Sequence, residues 1–175
     1  MAISRLKRSQ IPTWLRLRSS LWPTRSLSQH QHDMADILGD EEFNAVFVSA
    51  DRKGALTGFV EVALRLRAEG CRSSPVGYIE GWFVVPEARR KGIGRALLDR
   101  AEGWAISQGC REMASGAEMD NEVGRAAHRG SGYQEVARQA HFRKDMSDRA
   151  AQAKTTATTP ARRRPRSSGA RRRRT

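Results

Sequence analysis

The stretch from Val76 to Gly109 constrains the fold more than any other part of the chain. Residues 76–85 are rich in β-branched and aromatic side chains, which predicts a strand. Pro86 then ends ladder pairing because proline lacks a backbone N–H. Apolar side chains next recur at 93, 97, 101 and 104, the period of a helix with one buried face, and Gly109 is typical of a helix end. We therefore expect a strand, a turn and a helix.

The turn between this strand and helix is basic and rich in glycine, with the sequence Arg-Arg-Lys-Gly-Ile-Gly-Arg at residues 89–95. Glycines at 92 and 94 allow a tight turn that exposes backbone N–H groups at the positive end of the helix dipole. Such donors, beside cationic side chains, are typical of a binding site for a pyrophosphate. A purely structural turn accounts for the same residues equally well. The spacing matches neither a P-loop nor the three-glycine Rossmann fingerprint.

The spacing does match another signature. Arg89-x-x-Gly92-x-Gly94, after a strand that ends in Val-Pro, resembles the acyl-CoA motif of the Gcn5-related N-acetyltransferase (GNAT) superfamily. The resemblance implies that loop amides hold the CoA pyrophosphate and that the strand end pairs with pantetheine and polarises the thioester carbonyl. The cofactor-binding residues implied in this way are Trp82, Phe83, Val84, Arg89, Arg90, Lys91, Gly92, Ile93, Gly94 and Arg95.

Further short strings narrow the resemblance to the aminoglycoside 6′-N-acetyltransferases, over residues 1–146. These strings are Trp22-Pro23, Gly70–Val76, Glu80-Gly81, Gly109–Ser115, Asn121, His128 and Gly132-Tyr133. The implied reaction moves acetyl from acetyl-CoA, with no metal, to a primary amine of an aminoglycoside. A homodimer is also implied. Neither Cys71, in a loop, nor Cys110, which we place inside a strand, has the surroundings of an acyl carrier, so we expect direct attack in a ternary complex.

Two candidate catalytic residues follow. Glu80 is predicted to share a strand face with Tyr78 and Trp82, and to bind the substrate ammonium or accept its proton through water. A solvent-facing acid is the alternative. His128 stands where many superfamily members carry a tyrosine that protonates the departing thiolate, although a lone histidine is more often structural.

Other positions are candidates for binding. Trp22 resembles the family's aromatic wall against the sugar ring, or else it is a core residue that caps the first helix. Asn121 matches a CoA-contacting asparagine, and an N-cap role explains it almost as well. Asp120 could supply negative charge, which would attract a polycationic substrate.

Three acceptor-side positions differ from the family pattern. Residues 67–69 replace a tyrosine-containing loop, and Gly116 and Ala137 stand where acids are usual. A GNAT enzyme that acetylates another amine, such as a polyamine, a small metabolite or a protein N-terminus, is therefore the alternative function.

The formal charge of +13 is concentrated at the ends of the chain. Residues 33–146 carry 16 basic and 18 acidic side chains, whereas residues 147–175 carry nine Arg and one Lys against one Asp. We predict that 147–175 is disordered, because it lacks large apolar side chains. It is either a solvated extension or a nucleic-acid-binding segment, the latter being a third functional alternative. The two cysteines indicate a reducing compartment, here the cytoplasm, and no run is long enough to span a membrane.

The other patterns complete an α/β fold: a mixed, mostly antiparallel sheet with helices on both faces. In the GNAT fold that the resemblance implies, acyl-CoA lies in the splay between central strands. The acid-free start could be a transit peptide, but its alternation favours a first strand. We predict strands at 2–7, 44–50, 56–66 and 111–115, a closing antiparallel pair at 133–136 and 140–144, and helices from Ser9 or Pro12 to residue 21, at 33–38 and at 121–130.

Overall fold

The computed structural model describes residues 2–147 of the 175-residue chain. Contacts divide the chain into a compact unit that ends at Ala137 and a second unit that begins at Arg138. All the strands and long helices of the described residues belong to the first unit, and residues 138–146 of the second have no regular secondary structure. The disorder predicted for the basic segment falls on residues that, apart from Ser147, lie outside the described part. Among the described residues, no helix combines the length and apolar character that crossing a bilayer requires.

A five-stranded sheet forms the centre of the first unit. Its strands lie in chain order, and neighbours are antiparallel except for the last pair, which is parallel. This arrangement confirms the predicted mixed, mostly antiparallel sheet. The strands are β1 (Ala2–Arg5), β2 (Asn44–Ala50), β3 (Leu56–Arg65), β4 (Val76–Val84) and β5 (Met113–Ser115).

Helices cover both faces of the sheet, as predicted. Apolar side chains of α3 pack on one face, against residues such as Val60 and Ile79, and α1 and α2 pack on the other, around Phe59. The parallel pairing of β4 with β5 requires a crossover, which α3 provides. The helices are α1 (Ile11–Leu21), α2 (Leu27–Gly39), α3 (Ile93–Ser107) and α4 (Glu122–Gly130), with 3₁₀ turns at Arg8–Gln10 and Pro86–Ala88.

Helix α2 begins earlier than the predicted start at residue 33. Ser26 caps it: its hydroxyl accepts from the backbone N–H of Gln29, and the Gln29 side chain accepts from the Ser26 N–H. This reciprocal pair is a capping box, which fixes a helix start. The Ser-x-x-Gln spacing was a visible signal for it.

Two predictions near the end of the domain are wrong. Strand β5 has only three residues, so Cys110 lies before the strand, where its backbone N–H donates to the carbonyl of Ala105 at the end of α3. The structure shows no strand between residues 133 and 146, so the closing pair is absent there. Tyr133 instead turns towards the core and donates a hydrogen bond to Glu102, and most of the side chains that follow are exposed.

Candidate active site

Strands β4 and β5 separate after a short stretch of pairing. The ladder joins Gly77–Ile79 to Met113–Ser115, and Ile79 opposite Ser115 is its last rung. Within the described part of the chain, residues 80–84 of β4 therefore have no strand partner on the β5 side. The backbone groups of this stretch that point away from β3 face a cleft between the two strands, where they can pair with an extended ligand, although the Val84 carbonyl already accepts from Arg89.

The cleft leads to the N-terminus of α3. Gly92 precedes the helix with a φ of 76°, and this residue provides no side-chain cap for the first-turn amides. The first turn also contains no acidic residue. Uncapped amides at the positive end of a helix dipole form an anion site. Arg90, before Gly92, likewise has a left-handed φ of 62°, so the whole turn is bent in a way that side chains normally disfavour.

Most basic side chains of this turn are tied to the protein itself. Arg89 Nε donates to the carbonyl of Val84 at 3.0 Å, and Lys91 Nζ donates to that of Glu87 at 2.9 Å. Arg95 Nε pairs with Asp99 at 2.7 Å. These hydrogen bonds stabilise the turn. Because they occupy the basic side chains, the backbone amides are the principal donors that the turn offers to the cleft.

A group of three rings lies where β4 and β5 separate. The ring of His128 stands edge-on to Trp82, with centroids 5.3 Å apart, and edge-on to Tyr133 at 5.6 Å. Its nitrogens lie 2.8 Å from the Gly124 carbonyl oxygen and 2.9 Å from the Ser115 hydroxyl. Burial, followed by the charge of Glu102, raises the pKa of Tyr133, so its phenol stays protonated. The structure thus brings His128 to the fork between β4 and β5.

A bulge interrupts β4 at Glu80. Glu61 of β3 faces Gly81, and its neighbour Val62 faces Ile79, so Glu80 has no partner across the ladder. The extra residue changes the alternation of side chains. Glu80 shares a face with Tyr78, as predicted, because Arg65 contacts both. Trp82 does not: it packs on the α3 face, against Gly94. The prediction that all three share one face is therefore wrong, and the bulge is the reason.

Arg65 holds the Glu80 carboxylate with two parallel hydrogen bonds. Its Nε and Nη2 donate at 2.9 and 2.7 Å, and its guanidinium carbon lies 3.4 Å from the centre of the Tyr78 ring. The Glu80 side chain remains 32% exposed, so it is accessible to a cation from solvent. Sequence reasoning did not identify Arg65, because nothing in its local pattern shows that residues 65 and 80 meet.

Trp22 lies beside the bulge, on the same face of the sheet. A Cβ at Gly81 would lie 2.5 Å from Trp22 Cη2, so the indole rests directly on the strand. The guanidinium carbons of Arg18 and Arg25 lie 4.8 and 5.3 Å from its ring centre. Trp22 also forms the C-cap of α1, so the predicted structural role is observed and the ring is held in place.

A polar cluster supports this face, and its members are the buried Trp14, Arg18 and Glu61 and the half-exposed Asp33. Glu61 accepts from Trp14 Nε1 at 2.9 Å and from Arg18 Nη1 at 3.1 Å, and Arg18 also pairs with Asp33. Burial raises the pKa of Glu61 to about 7, although Arg18 opposes the shift. The signal in the sequence was a single acid in the middle of an apolar strand, which indicates a buried partner.

The remaining predicted residues precede or begin α4. Asn121 caps this helix, its side-chain oxygen accepting from the Gly124 N–H at 2.9 Å. Asp120 is exposed on the loop before it. Within residues 2–147, no group of three or more His, Cys, Asp or Glu side chains is arranged to hold a metal ion.

The family comparison agrees with this geometry. The sequence profile described as "Acetyltransferase (GNAT) family" matches residues 11–133. The chain belongs to the GNAT family. It is 40% identical over 136 residues to "Aminoglycoside N(6')-acetyltransferase type 1" of Klebsiella aerogenes, an alignment that covers 77% of this chain and 90% of the relative.

Solved structures of GNAT enzymes resemble the fold closely. Aminoglycoside antibiotic 6'-N-acetyltransferase AAC(6')-IG from Acinetobacter haemolyticus has 32% identity and a TM-score of 0.77, over 83% of this chain and 99% of that one. AAC(6')-Iy, solved in complex with the bisubstrate analogue CoA-S-monomethyl-acetylneamine, has 32% identity and a TM-score of 0.76, over 82% of this chain and 97% of that one. These comparisons confirm the predicted GNAT fold.

The cleft of this GNAT domain fits a CoA thioester. Trp82 Nε1 is buried without a hydrogen-bond partner among the described residues, where the indole packs against Gly94. A Cβ at Gly94 would lie 2.9 Å from the Trp82 ring, so only a glycine lets α3 begin so close to β4. The open strand edge and the uncapped helix start both offer backbone donors, which suits an extended amide chain that ends in a pyrophosphate.

Proposed function

We propose that this GNAT enzyme transfers acetyl from acetyl-CoA to the 6′-amine of aminoglycosides by direct attack in a ternary complex. The observation that carries the proposal is the bulge in β4. There the accessible Glu80 carboxylate lies at the start of the open strand edge, and the shift of register brings Gly81, with Trp22 packed on it, to the same face. The similarity to aminoglycoside N(6′)-acetyltransferases supports the choice of acceptor. Acetyl-CoA supplies an acetyl group activated as a thioester.

The α3 side of the cleft would hold this co-substrate. Backbone amides of the turn at 90–95 would bind the pyrophosphate, since they are uncapped. The free edge of β4, over Trp82, Phe83 and Val84, would pair with the pantetheine amides and direct an N–H at the thioester carbonyl. Asn121 is the remaining candidate contact, and its capping bond leaves its side-chain NH₂ available.

The α1 side would bind the acceptor. Glu80 would attract the ammonium group and accept its proton, directly or through one water, so that a neutral amine can attack. Trp22 offers a flat apolar surface for a sugar ring, and Asp120 adds charge that favours a polycation. His128 would return a proton to the departing thiolate. We further propose a homodimer in the cytoplasm.

The test measures thiol release from acetyl-CoA with tobramycin, kanamycin, spermidine and a basic peptide offered in parallel. We expect turnover on the aminoglycosides, with NMR of the product placing the acetyl group on the 6′-nitrogen. Glu80→Gln should lower kcat about 100-fold or more, because it removes a proton acceptor. Glu41→Gln is the matched control: this exposed carboxylate pairs loosely with Arg5 at 3.9 Å, away from the cleft.

A different amine as the preferred acceptor would overturn the substrate assignment. Gly116 makes this outcome worth testing, because it stands where the related enzymes usually carry an acid and lies beside the Tyr78 hydroxyl. Turnover on spermidine or the peptide, but not on the aminoglycosides, would assign the pocket to that amine instead. Equal activity of Glu80→Gln and the wild type would remove Glu80 from the mechanism.

A further inference from the structure

The hydroxyl of Ser115 lies at the point where β4 and β5 separate. Ser115 forms the last rung of the ladder with Ile79, and its Oγ lies 3.4 Å from the Ile79 carbonyl oxygen. The same Oγ lies 2.9 Å from Nε2 of His128. A half-buried hydroxyl therefore stands at the apex of the cleft, beside the first unpaired residue of β4.

The hydrogen bonds of His128 determine where its proton lies. The Gly124 carbonyl can only accept, so the Nδ1 atom that it contacts at 2.8 Å must carry a hydrogen. A neutral imidazole has a single N–H, which makes Nε2 an acceptor. The Ser115 hydroxyl can then donate its one hydrogen to Nε2 at 2.9 Å, the nearer of its two acceptors, the other being the Ile79 carbonyl oxygen at 3.4 Å. Trp82 and Tyr133 hold the ring edge-on from two sides, so the ring is fixed in this orientation.

This arrangement matches a hydroxyl paired with a base that a third group orients. Such a pair can pass a proton in either direction. With its hydrogen on Nδ1, His128 receives a hydrogen bond at Nε2, and this nitrogen takes up a proton before it delivers one. His128 alone would need an outside source for that proton.

We propose that Ser115 and His128 form a proton shuttle between the attacking nitrogen and the departing sulfur. This inference rests on the acetyl transfer proposed above. Ser115 Oγ takes a proton from the nitrogen while its own proton passes to Nε2, and the two transfers then reverse towards the sulfur. Amide formation removes one proton from nitrogen, and thiol formation requires one at sulfur. The pair therefore ends in its starting state, and no other reactant is needed.

Glu80 has a separate part in this scheme. It removes the proton that makes the bound amine an ammonium, and it does so from the α1 side of the sheet. Ser115 acts later, from the apex of the cleft, where nitrogen and sulfur are bonded to the same acetyl carbon. Loss of Glu80 and loss of Ser115 should consequently affect different steps.

The kinetic test compares Ser115→Ala, Ser115→Thr and His128→Gln. We expect Ser115→Ala to lower kcat about 100-fold with little change in KM for acetyl-CoA, and Ser115→Thr, which keeps the hydroxyl, to recover most of the loss. Ser115→Ala combined with His128→Gln should be no slower than His128→Gln, because the two residues act as a unit. The matched control is Ser49→Ala, which removes a buried hydroxyl bonded to Thr57 at 2.6 Å, in strand β2.

A second readout uses the free protein and does not depend on turnover. Nitrogen-15 NMR of the histidine side chains, assigned with His128→Gln, should show Nδ1 protonated and Nε2 shifted as a hydrogen-bond acceptor. Ser115→Ala should move the Nε2 signal towards the value of an unbonded nitrogen, and Ser115→Thr should restore it.

The outcomes separate the two proposals. If the wild type acetylates no amine, the proposed function fails, and the Nε2 shift still reports on the pair. An Nε2 signal that Ser115→Ala leaves unchanged, or a kcat for Ser115→Ala equal to that of the wild type, would overturn the shuttle.

Discussion

The two sides of the β4 cleft present different kinds of chemical group. On the α3 side the candidate binding groups are mostly backbone amides, exposed because a turn with left-handed residues leads into an uncapped helix and because β4 lacks a neighbour. On the α1 side they are side chains: Glu80 held by Arg65, and Trp22 resting above a buried ion pair. The first side is set by local geometry, and the second by contacts between distant parts of the chain.

The comparison shows how each side should respond to mutation. The ligand affinity of a site made of backbone groups should change little with most side-chain substitutions. It should fall when an added side-chain atom prevents two segments of backbone, or the backbone and the ligand, from coming close together. A site made of charged side chains depends on every partner that orients or neutralises those charges. Three substitutions test this difference, in order of decreasing expected effect.

Arg18→Met should cause the largest loss of stability, on the α1 side alone. At pH 8 the buried Glu61 must either stay ionised without its partner or take up a proton from a basic solution, and the loss of the pair costs about 3–5 kcal/mol of unfolding free energy. At pH 5 the loss should be smaller, because Glu61, with a pKa raised to about 7, is then protonated. Urea unfolding at both pH values measures this, and CoA affinity should not change.

Two further measurements test the pairing of Arg18 with Glu61. A group whose pKa is raised on folding loses its stabilising effect as pH rises, here from the ordinary 4.5 through about 7. Glu61→Gln should therefore flatten the pH dependence of stability, and Arg18→Met with Glu61→Gln should recover part of the loss. Equal losses for Arg18→Met at pH 5 and pH 8 would contradict the assigned charge state.

Gly94→Ala should affect the α3 side alone. The new Cβ would lie 2.9 Å from the Trp82 ring, so the helix start or the indole must shift. We expect the Kd for CoA, measured by calorimetry, to rise about tenfold, which corresponds to about 1.4 kcal/mol. Gly103→Ala in the same helix is the matched control, because its Cβ would meet nothing within 4 Å. Unchanged CoA affinity in Gly94→Ala would argue against the proposed path of the cofactor.

Arg65→Met should have the smallest effect on stability, below about 1 kcal/mol, because the ion pair is partly exposed. Its effect on kinetics should be informative. Without the guanidinium, Glu80 attracts a polycation more strongly, so KM for the aminoglycoside should fall, whereas kcat should fall because the carboxylate is no longer oriented. Steady-state kinetics with both substrates varied measures this. A raised KM for acetyl-CoA would show that the two sides of the cleft are coupled.

The same contrast explains what the sequence could predict. The strand, turn and helix around Gly92 follow from local spacing, and they are observed as expected. Glu80 and His128 were identified by resemblance, but their partners Arg65 and Ser115 were not, because those contacts join residues 15 and 13 positions apart across the fold. The bulge was also invisible, since one extra residue in a ladder leaves no mark on the local pattern.

Two further errors in the predicted secondary structure have other causes. The start of α2 was available in the Ser26-x-x-Gln29 spacing. We predicted a closing antiparallel pair of strands after residue 133. In the structure Tyr133 is bonded to Glu102 and Phe142 is 96% exposed, so these side chains do not line one face of a sheet. A local sequence pattern forms a strand only where a neighbouring strand is available for pairing.

The open edge of β4 has a consequence for the protein before it meets a ligand. An unpaired strand edge is a template on which another chain can add a strand, and long flat edges lead to aggregation. Here the exposed stretch is limited to residues 80–84, with the bulge at one end and Pro86 soon after the other. The bulge beside Glu80 therefore also helps to keep the open edge short, which limits the room for another polypeptide to add a strand.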